Sequence, residues 1–461
     1  MNAPTVPLRT PSAIDIRKVG AFQATLFLLC LITLVIDGLD LQLLSFAAPP
    51  ILAEWGISKA AFAPAMAAAL VGMAIGNGAG GWLAVRHGRR PILVVSVLLF
   101  GLGTFATAYA PDLATLIVLR AICGLGFGAA VPSIMSLVVE WVPERLQGPA
   151  IGLLAVSTPL GGLAGAVFAG WLIGEWGWRA CFIASGAATN LLAIVLLLKI
   201  PESPAYLFRR GRGDKAKALL VRALGPLSDA EVEAIVARGE TRPGNENRSA
   251  GGVFAPENLR LNVGFSLSLF ANSFAGYGFI SWIPVILSGA GMDLTDAIRG
   301  SFFFNLFAII GAFGGASAMS RLGSRQTMIG SVGLTPAAVA ALILLLPGYR
   351  DTSDAQAAVM AALCLAGFGV GGLQGCNYAL SAISYPAAYR SSGIGLVAAA
   401  GRVGGIVAVL VGGALLSLDT GIFTAFFGAM SLMLFIALAG ILTVDRHIAS
   451  ARLRASRNSP L

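Results

Sequence analysis

Residues 31–52 read LITLVIDGLDLQLLSFAAPPIL, a nearly continuous apolar run that two carboxylates, Asp37 and Asp40, interrupt. A bilayer-spanning helix needs about 20 predominantly apolar residues, so this run is long enough to be one. An acid at the centre of such a helix costs about 2.5–3.5 kcal/mol on insertion scales. The run therefore predicts a membrane protein in which something compensates two expensive charges.

The composition of the 461-residue chain is typical of a polytopic membrane protein. Hydrophobic residues make up 57% of it and charged residues 11%, with a mean hydropathy of +0.82, whereas a soluble domain has about 25% charged residues. The predicted fold is all-α, with twelve transmembrane helices. The apolar runs that predict them are 22–52, 61–85, 91–110, 113–139, 148–173, 180–199, 259–288, 299–319, 327–346, 356–384, 392–417 and 422–443.

The basic residues are distributed unequally between the two sides of the predicted membrane domain. If both termini lie on one side, the loops there hold 25 of the 31 Lys and Arg, and the opposite loops hold four. The remaining two, Arg120 and Arg402, lie within apolar runs. The positive-inside rule then places both termini in the cytoplasm. Topology explains the net charge of +9, so we expect no nucleic-acid partner.

One polar segment divides the predicted helices into six plus six. We expect an amino-terminal bundle at 1–200, a cytoplasmic linker at 201–258 and a carboxy-terminal bundle with a basic tail at 259–461. Within the linker, Ser228 and Glu231 have capping-box spacing, so we predict two short amphipathic helices there. The polar stretch TRPGNENRSAGG that follows predicts disorder.

The two halves resemble each other in sequence. Arg86 and Gly88 match Arg321 and Gly323, and further on the glycine pair 161–162 matches the pair 404–405. Parallel repeats of this kind are typical of secondary transporters, whose binding site lies at the bilayer midplane between the halves. The repeat therefore predicts two six-helix pseudo-repeat bundles with a central site.

Several motifs identify the family that this sequence resembles. GGWLAVRHGRRP (80–91), RAICGLGFG (120–128) and YPAAYRSSGIG (385–395) are similar to signatures of the major facilitator superfamily. DGLDLQLLSFAAPPI (37–51) is similar to the first helix of its aromatic acid:proton symporters, which import compounds such as hydroxybenzoates and hydroxyphenylpropionates. The resemblance implies proton-coupled import of a small aromatic carboxylate by alternating access, across a bacterial inner membrane.

The loop motif departs from the family pattern at one position. The acid that usually precedes the arginine is replaced by Val85, and by Ser320 in the second copy. In the family this acid is thought to latch the two halves together, so the latch is in doubt here. Charges at these helix ends either take part in gating or simply brace the loops. The candidates are Gly81, Arg86, Gly88, Arg89, Arg90, Glu140, Arg145, Arg321 and Arg390.

Ionisable residues inside a membrane are functional candidates by default. Asp37 and Asp40 share a helix face, and burial and mutual repulsion both favour a protonated carboxyl, which suits proton coupling. Arg120 and Arg402 stay charged and match a carboxylate with two hydrogen bonds, so either is a candidate for substrate binding. In the alternative interpretation an acid and an arginine form a static pair.

An aromatic acid also needs polar and aromatic contacts. Gln374 and Tyr378 are four residues apart and share a helix face. Trp282 lies near a helix end, where it could instead be an interfacial anchor. The candidate pocket residues are Gln42, Asn272, Trp282, Gln374 and Tyr378.

Two rival functions stay open. The first is a carrier of another solute, such as an aliphatic acid, sugar or drug, or an exporter. The second, more remote, is a transporter-like receptor or membrane enzyme, although the sequence has neither a nucleotide loop nor a catalytic Ser/His/Asp set. We therefore expect no enzymatic activity and no cofactor. We also expect no metal site, since the cysteines lack ligand spacing. The expected partners of a monomeric protein are the carboxylate, protons and lipid.

Overall fold

The computed structural model describes residues 19–240, 252–350, 352–385, 390–418 and 421–448, and these residues form helices without any strand. The helices are α1 (Ala21–Trp55), α2 (Lys59–His87), α3 (Arg89–Thr107), α4 (Leu113–Trp141), α5 (Glu144–Ala155), α6 (Ser157–Lys199), α7 (Pro204–Arg209), α8 (Gly213–Leu224), α9 (Asp229–Glu240), α10 (Leu259–Gly289), α11 (Leu294–Leu322), α12 (Ser324–Leu345), α13 (Ser353–Ser384), α14 (Arg390–Leu415) and α15 (Ile422–Thr443).

The prediction of twelve membrane spans is confirmed. Eleven of the described helices are long and apolar enough to cross a bilayer, and one of them, α6, is 43 residues long. At Gly177 the backbone of α6 leaves helical geometry with φ 75°, a conformation that glycine adopts without strain. This kink divides α6 into two spans. The predicted span 148–173 is also interrupted, because Val156 leaves helical geometry and separates α5 from α6.

Six spans pack into each of two bundles with the same internal arrangement. In the amino-terminal bundle α2 packs along α4, and α1 and α3 pack on α6. In the other bundle α11 packs along α13, and α10 packs on α14 and α15. A Cβ at Gly72 would overlap the carbonyl of Ala121 in the α2–α4 contact, as one at Gly371 would overlap Ala308 in the α11–α13 contact. Small residues let helix backbones approach closely in lipid, and here they do so in the corresponding helix pair of each bundle.

The bundles meet along a seam formed by three helix pairs: α1 with α10, α2 with α14, and α6 with α11. We call the end of the molecule at residues 201–258 the linker end and the opposite end the far end. Ser45 donates a hydrogen bond across the seam to the carbonyl of Ser281, at 2.6 Å. At the far end the backbone N–H of Ala60 donates to Ser417 Oγ at 2.8 Å. These bonds hold the bundles together between the membrane centre and the far end.

The linker contains three short α-helices, α7 to α9, where the sequence predicts two. The predicted capping box is confirmed, because Ser228 N–H donates to Glu231 Oε2 at 2.8 Å and Glu231 N–H donates to Ser228 Oγ at 3.3 Å. Leu220 and Ile235 are buried in the hydrophobic cluster of the amino-terminal bundle. The linker helices therefore dock on that bundle. Residues 241–251, most of the stretch predicted to be disordered, lie outside the described residues.

Candidate functional site

Asp40 is paired with Arg120 inside the amino-terminal bundle. Arg120 Nη1 donates to Asp40 Oδ2 at 2.9 Å, and the two side chains are 1% and 5% exposed. Thr104 Oγ1 donates to the other carboxylate oxygen at 2.9 Å. Arg120 Nη2 donates to Thr107 Oγ1 at 3.0 Å, and the guanidinium lies over the ring of Phe182. Both charges thus have partners from helices α1, α3, α4 and α6 of a single bundle.

Asp37 occupies a different environment one helical turn away. Among the described residues it has no hydrogen bond and no ion pair within 4 Å, although it is only 7% exposed. Asp37 and Asp40 line one small cavity, as their spacing predicts, together with Met73 and Phe127. Gly38 between them permits a close approach, because a Cβ there would overlap the backbone of Thr158 on α6. The acid is therefore buried without a local partner.

Arg402 reaches across the seam from α14 towards this acid. Its Nη1 lies 2.6 Å from Met73 Sδ on α2 and 3.4 Å from the hydroxyl of Tyr277 on α10. The guanidinium is within electrostatic reach of Asp37 and of the Tyr378 hydroxyl. Arg402 stays partly accessible and makes no ion pair within 4 Å among the described residues. Its donors are thus only weakly occupied, by a thioether and a phenol.

A pair of amides closes the seam on the far-end side of these charges. Gln42 Nε2 donates to Asn305 Oδ1 at 3.1 Å, and Asn305 Nδ2 donates back to Gln42 Oε1 at 2.8 Å. Asn305 Nδ2 also donates to the carbonyl of Ser301 at 2.8 Å. Gly162 leaves the space for both amides, since a Cβ there would overlap them. Gln42 is thus a residue of the seam with its hydrogen bonds supplied by the other bundle.

A second pair of amides lies within the carboxy-terminal bundle. Asn272 Nδ2 donates to Gln374 Oε1 at 2.6 Å and to the carbonyl of Val370 at 3.3 Å. Asn272 is 1% exposed, and its Oδ1 is buried without a hydrogen-bond partner. Gln374 is partly exposed and Tyr378 is 37% exposed. The pair therefore combines a buried free acceptor with an accessible amide.

The structure places Trp282 differently from the other pocket candidates. Its side chain is fully buried, and its indole N–H donates to the carbonyl of Val409 at 3.2 Å. A Cβ at Gly412 would overlap the indole ring. Trp282 thus packs between α10 and α14, and its one polar group is hydrogen-bonded within the carboxy-terminal bundle.

The loop motif of the first half is braced within its own bundle. Arg89 pairs with Glu140, which is 6% exposed. The backbone N–H groups of Arg89 and Arg90 donate to Glu202 Oε1 at 2.9 and 3.2 Å, so this carboxylate caps the start of α3. The sequence motif PESP contains Glu202, but nothing in its spacing indicates this partner.

The other loop candidates occupy separate places. Arg86 lies over the ring of Trp82, Gly81 faces Pro132, and Gly88 has φ 104°. Arg321 and Arg145 are exposed at the linker end, and the side chain of Arg390 lies outside the described residues. The site residues that the sequence analysis did not select are Met73, Thr104, Thr107 and Asn305. Thr104 and Thr107 are three residues apart in an apolar span, so the sequence could have placed both on one face of α3, although not against Arg120 on α4.

No group of three or more His, Cys, Asp or Glu side chains is placed to hold a metal ion in the part of the chain that the structure describes. The polar side chains near Arg402 and the two acids carry carboxylate, guanidinium, amide, hydroxyl and phenol groups.

Several known proteins are similar to this chain in sequence over nearly their full lengths. A family model described as the Major Facilitator Superfamily matches residues 30–408. The 4-hydroxybenzoate transporter PcaK of Pseudomonas aeruginosa is 32% identical over 91% of this chain and 92% of that protein. The gallate transporter of Pseudomonas putida is 30% identical over 98% and 97%. The 3-(3-hydroxy-phenyl)propionate transporter of Escherichia coli is 28% identical over 90% and 91%.

Solved structures agree on the fold. The xylose transporter XylE from Escherichia coli, in a partially occluded inward open conformation, superposes with a TM-score of 0.70 at 16% identity over 92% of this chain and 98% of that one. At this identity the likeness shows the architecture alone. With the family model and the relatives, it leads to one conclusion: this chain belongs to the Major Facilitator Superfamily and is an integral membrane transporter rather than an enzyme.

Proposed function

We propose that this protein imports a small aromatic carboxylate together with protons. The observation that carries the proposal is Arg402, a partly accessible cation at the seam whose guanidinium has no carboxylate partner within 4 Å among the described residues. A guanidinium offers a carboxylate two parallel hydrogen bonds, which are shorter and stronger than those to a thioether or phenol. The rings of Tyr277 and Tyr378 next to it suit an aromatic solute.

Charge balance links the solute to a proton. In this proposal Asp37 is ionised in the empty site and offsets the positive charge of Arg402, which lies within electrostatic reach across the seam. When an anionic substrate binds Arg402, Asp37 is left as a second anion in a low-dielectric place, which favours uptake of a proton. One monovalent anion entering with one proton leaves the net charge of the site unchanged. Asp40 is a poorer proton carrier, since Arg120 and Thr104 already satisfy both of its oxygens.

Alternating access follows from the position of the site between two bundles. Bonds across the seam at Ser45 and Ala60 lie towards the far end and must break for that end to open. We propose that the linker end is cytoplasmic, as the distribution of Lys and Arg predicts, and that the protein resides in the bacterial inner membrane with both termini inside. The substrate then enters at the far end and leaves at the linker end.

The relatives narrow the substrate class. Those reported above are named for 4-hydroxybenzoate, gallate and 3-(3-hydroxy-phenyl)propionate, all aromatic carboxylates. Uptake of labelled 4-hydroxybenzoate into cells that express this protein, with and without a protonophore, tests the proposal. We expect uptake that the protonophore abolishes and that Arg402→Ala lowers by more than about tenfold, because the carboxylate loses its charged partner.

A matched control for this test is Arg299→Ala. Arg299 is exposed and pairs with Asp296 at 2.6 Å within α11, so its loss should leave uptake unchanged. Uptake that resists the protonophore would overturn proton coupling. Transport of sugars or aliphatic acids without transport of any aromatic acid would overturn the substrate class.

A further inference from the structure

The amide pair formed by Asn272 and Gln374 has one free acceptor and one free donor. Asn272 Oδ1 is buried without a partner, while its Nδ2 donates to both Gln374 Oε1 and the carbonyl of Val370. Because Gln374 uses its oxygen for this bond, its Nε2 is left without a hydrogen-bond partner among the described residues. A buried acceptor without a partner is destabilising, so its retention needs a reason.

The orientation of Asn272 is fixed by its neighbours. Rotating the side-chain amide by 180° would bring its oxygen against the carbonyl oxygen of Val370 and against Gln374 Oε1. Two pairs of acceptors would then face each other and both present hydrogen bonds would be lost. The free atom is therefore the acceptor Oδ1, and the free atom of its partner is the donor Nε2.

An acceptor beside a donor is complementary to a hydroxyl group. A hydroxyl donates one hydrogen bond through its proton and accepts others at its oxygen. It can therefore donate to Asn272 Oδ1 and accept from Gln374 Nε2 at once. A carboxylate has no proton to give the buried acceptor, and an unsubstituted ring has neither group.

The pair lies on the same two helices as the tyrosines next to Arg402. Tyr378, whose hydroxyl is near Arg402, is four residues after Gln374 on α13, and Tyr277 is five residues after Asn272 on α10. One helical turn is about 5.4 Å, close to the width of a benzene ring with its substituents. A ring whose carboxylate is bound by Arg402 can thus place a hydroxyl at the amide pair.

We propose that Asn272 and Gln374 form a subsite that selects aromatic carboxylates bearing a ring hydroxyl over those without one. This inference rests on the proposed function, because it takes Arg402 as the carboxylate ligand. Asn272 Oδ1 accepts from the hydroxyl and Gln374 Nε2 donates to it. The residues set specificity, and Arg402 supplies the common binding energy for both kinds of acid.

The test compares the affinities of purified full-length protein for 4-hydroxybenzoate and benzoate, measured by isothermal titration calorimetry in detergent. We expect the wild type to bind the hydroxylated acid at least about tenfold more tightly. Gln374→Leu should bring the two affinities to within about twofold while leaving benzoate binding nearly unchanged. Asn272→Leu should do the same, and Gln374→Glu, which keeps the size but removes the donor, provides a reading if a leucine variant does not fold.

The matched control is Asn377→Leu on the same helix. Asn377 is a buried amide in the same contact between α13 and α10, where it accepts from Ser268 Oγ at 3.0 Å and has a free Nδ2, but it makes no hydrogen bond to Asn272 or Gln374 among the described residues. It should keep the preference for the hydroxylated acid. Equal affinities of the wild type for both acids, or a preference that survives in every Gln374 and Asn272 variant, would overturn the subsite alone. Failure of the wild type to bind either acid would overturn the proposed function itself.

Discussion

Two acid and arginine pairs begin one helical turn apart on α1 and have different environments. Asp40 and Arg120 are joined at 2.9 Å within one bundle, and two threonines add a hydrogen bond to each partner. Asp37 and Arg402 belong to different bundles and do not form an ion pair within 4 Å. The acid and the arginine inside the bundle therefore bond directly to each other, whereas those at the seam do not.

This difference between the two pairs is explained by the rocking of the two bundles against each other during transport. A pair within one bundle keeps its distance when the bundles rock against each other, so it can be optimised for stability. A pair across the seam changes its distance in every cycle, and an unsatisfied arginine there is available to a substrate. We therefore expect Asp40 and Arg120 to affect folding, and Asp37 and Arg402 to affect transport.

The largest expected effect is on folding, from Arg120→Leu. Removing one partner of a buried ion pair leaves an uncompensated charge and costs about 3–5 kcal/mol. The variant should show a much lower midpoint of thermal unfolding in detergent than the wild type. The double variant Asp40→Leu with Arg120→Met should recover most of the loss, because an apolar replacement of both partners is often neutral. An unchanged midpoint in the single variant would contradict a structural role.

The next effect separates Asp37 from Asp40. Asp37→Asn should keep the unfolding midpoint, since no hydrogen bond within the described chain is lost. It should abolish accumulation of labelled 4-hydroxybenzoate against a gradient but retain exchange of internal for external substrate, because exchange needs no net proton movement. Proteoliposomes measure both quantities. Accumulation by the Asp37→Asn variant would show that another group carries the proton.

A smaller effect is expected at the amide pair that crosses the seam. Asn305→Ala removes two hydrogen bonds to Gln42, which should weaken closure at the far end by about 1 kcal/mol or more. With Ser45→Cys as a buried reporter at the seam, a membrane-impermeant thiol reagent should label this variant roughly fivefold faster. Asn190→Ala is the control, since Asn190 donates to Gly186 within α6 and does not cross the seam. Equal labelling rates would mean that the amide pair does not hold the far end closed.

The smallest effect is expected at the altered loop motif. Val85 is 61% exposed, so Val85→Asp should change the free energy of unfolding by less than about 0.5 kcal/mol. Restoring the family acid should change the transport rate with little change in substrate affinity. Initial rates over a range of substrate concentrations measure both. If rate and affinity are both unchanged, the acid is dispensable in this protein.

The sequence by itself determined the spans, because backbone groups in lipid must form their hydrogen bonds locally and apolar length alone then reveals each helix. It also marked Asp37, Asp40, Arg120 and Arg402, since a charge within an apolar run is conspicuous. The tertiary structure alone decided which acid faces which arginine. Asp40 and Arg120 are 80 residues apart and Gln42 and Asn305 are 263 apart, so helix packing and not local pattern sets these contacts.

The same limit explains Trp282 and the free acceptor of Asn272. Residue type suggested a pocket role for both. The indole N–H of Trp282 is hydrogen-bonded to the carbonyl of Val409, whereas Asn272 Oδ1 has no hydrogen-bond partner among the described residues. Whether a polar group is satisfied depends on neighbours from other helices. The sequence therefore names the candidate groups, and only the packed bundles decide which are used for stability and which are left for a substrate.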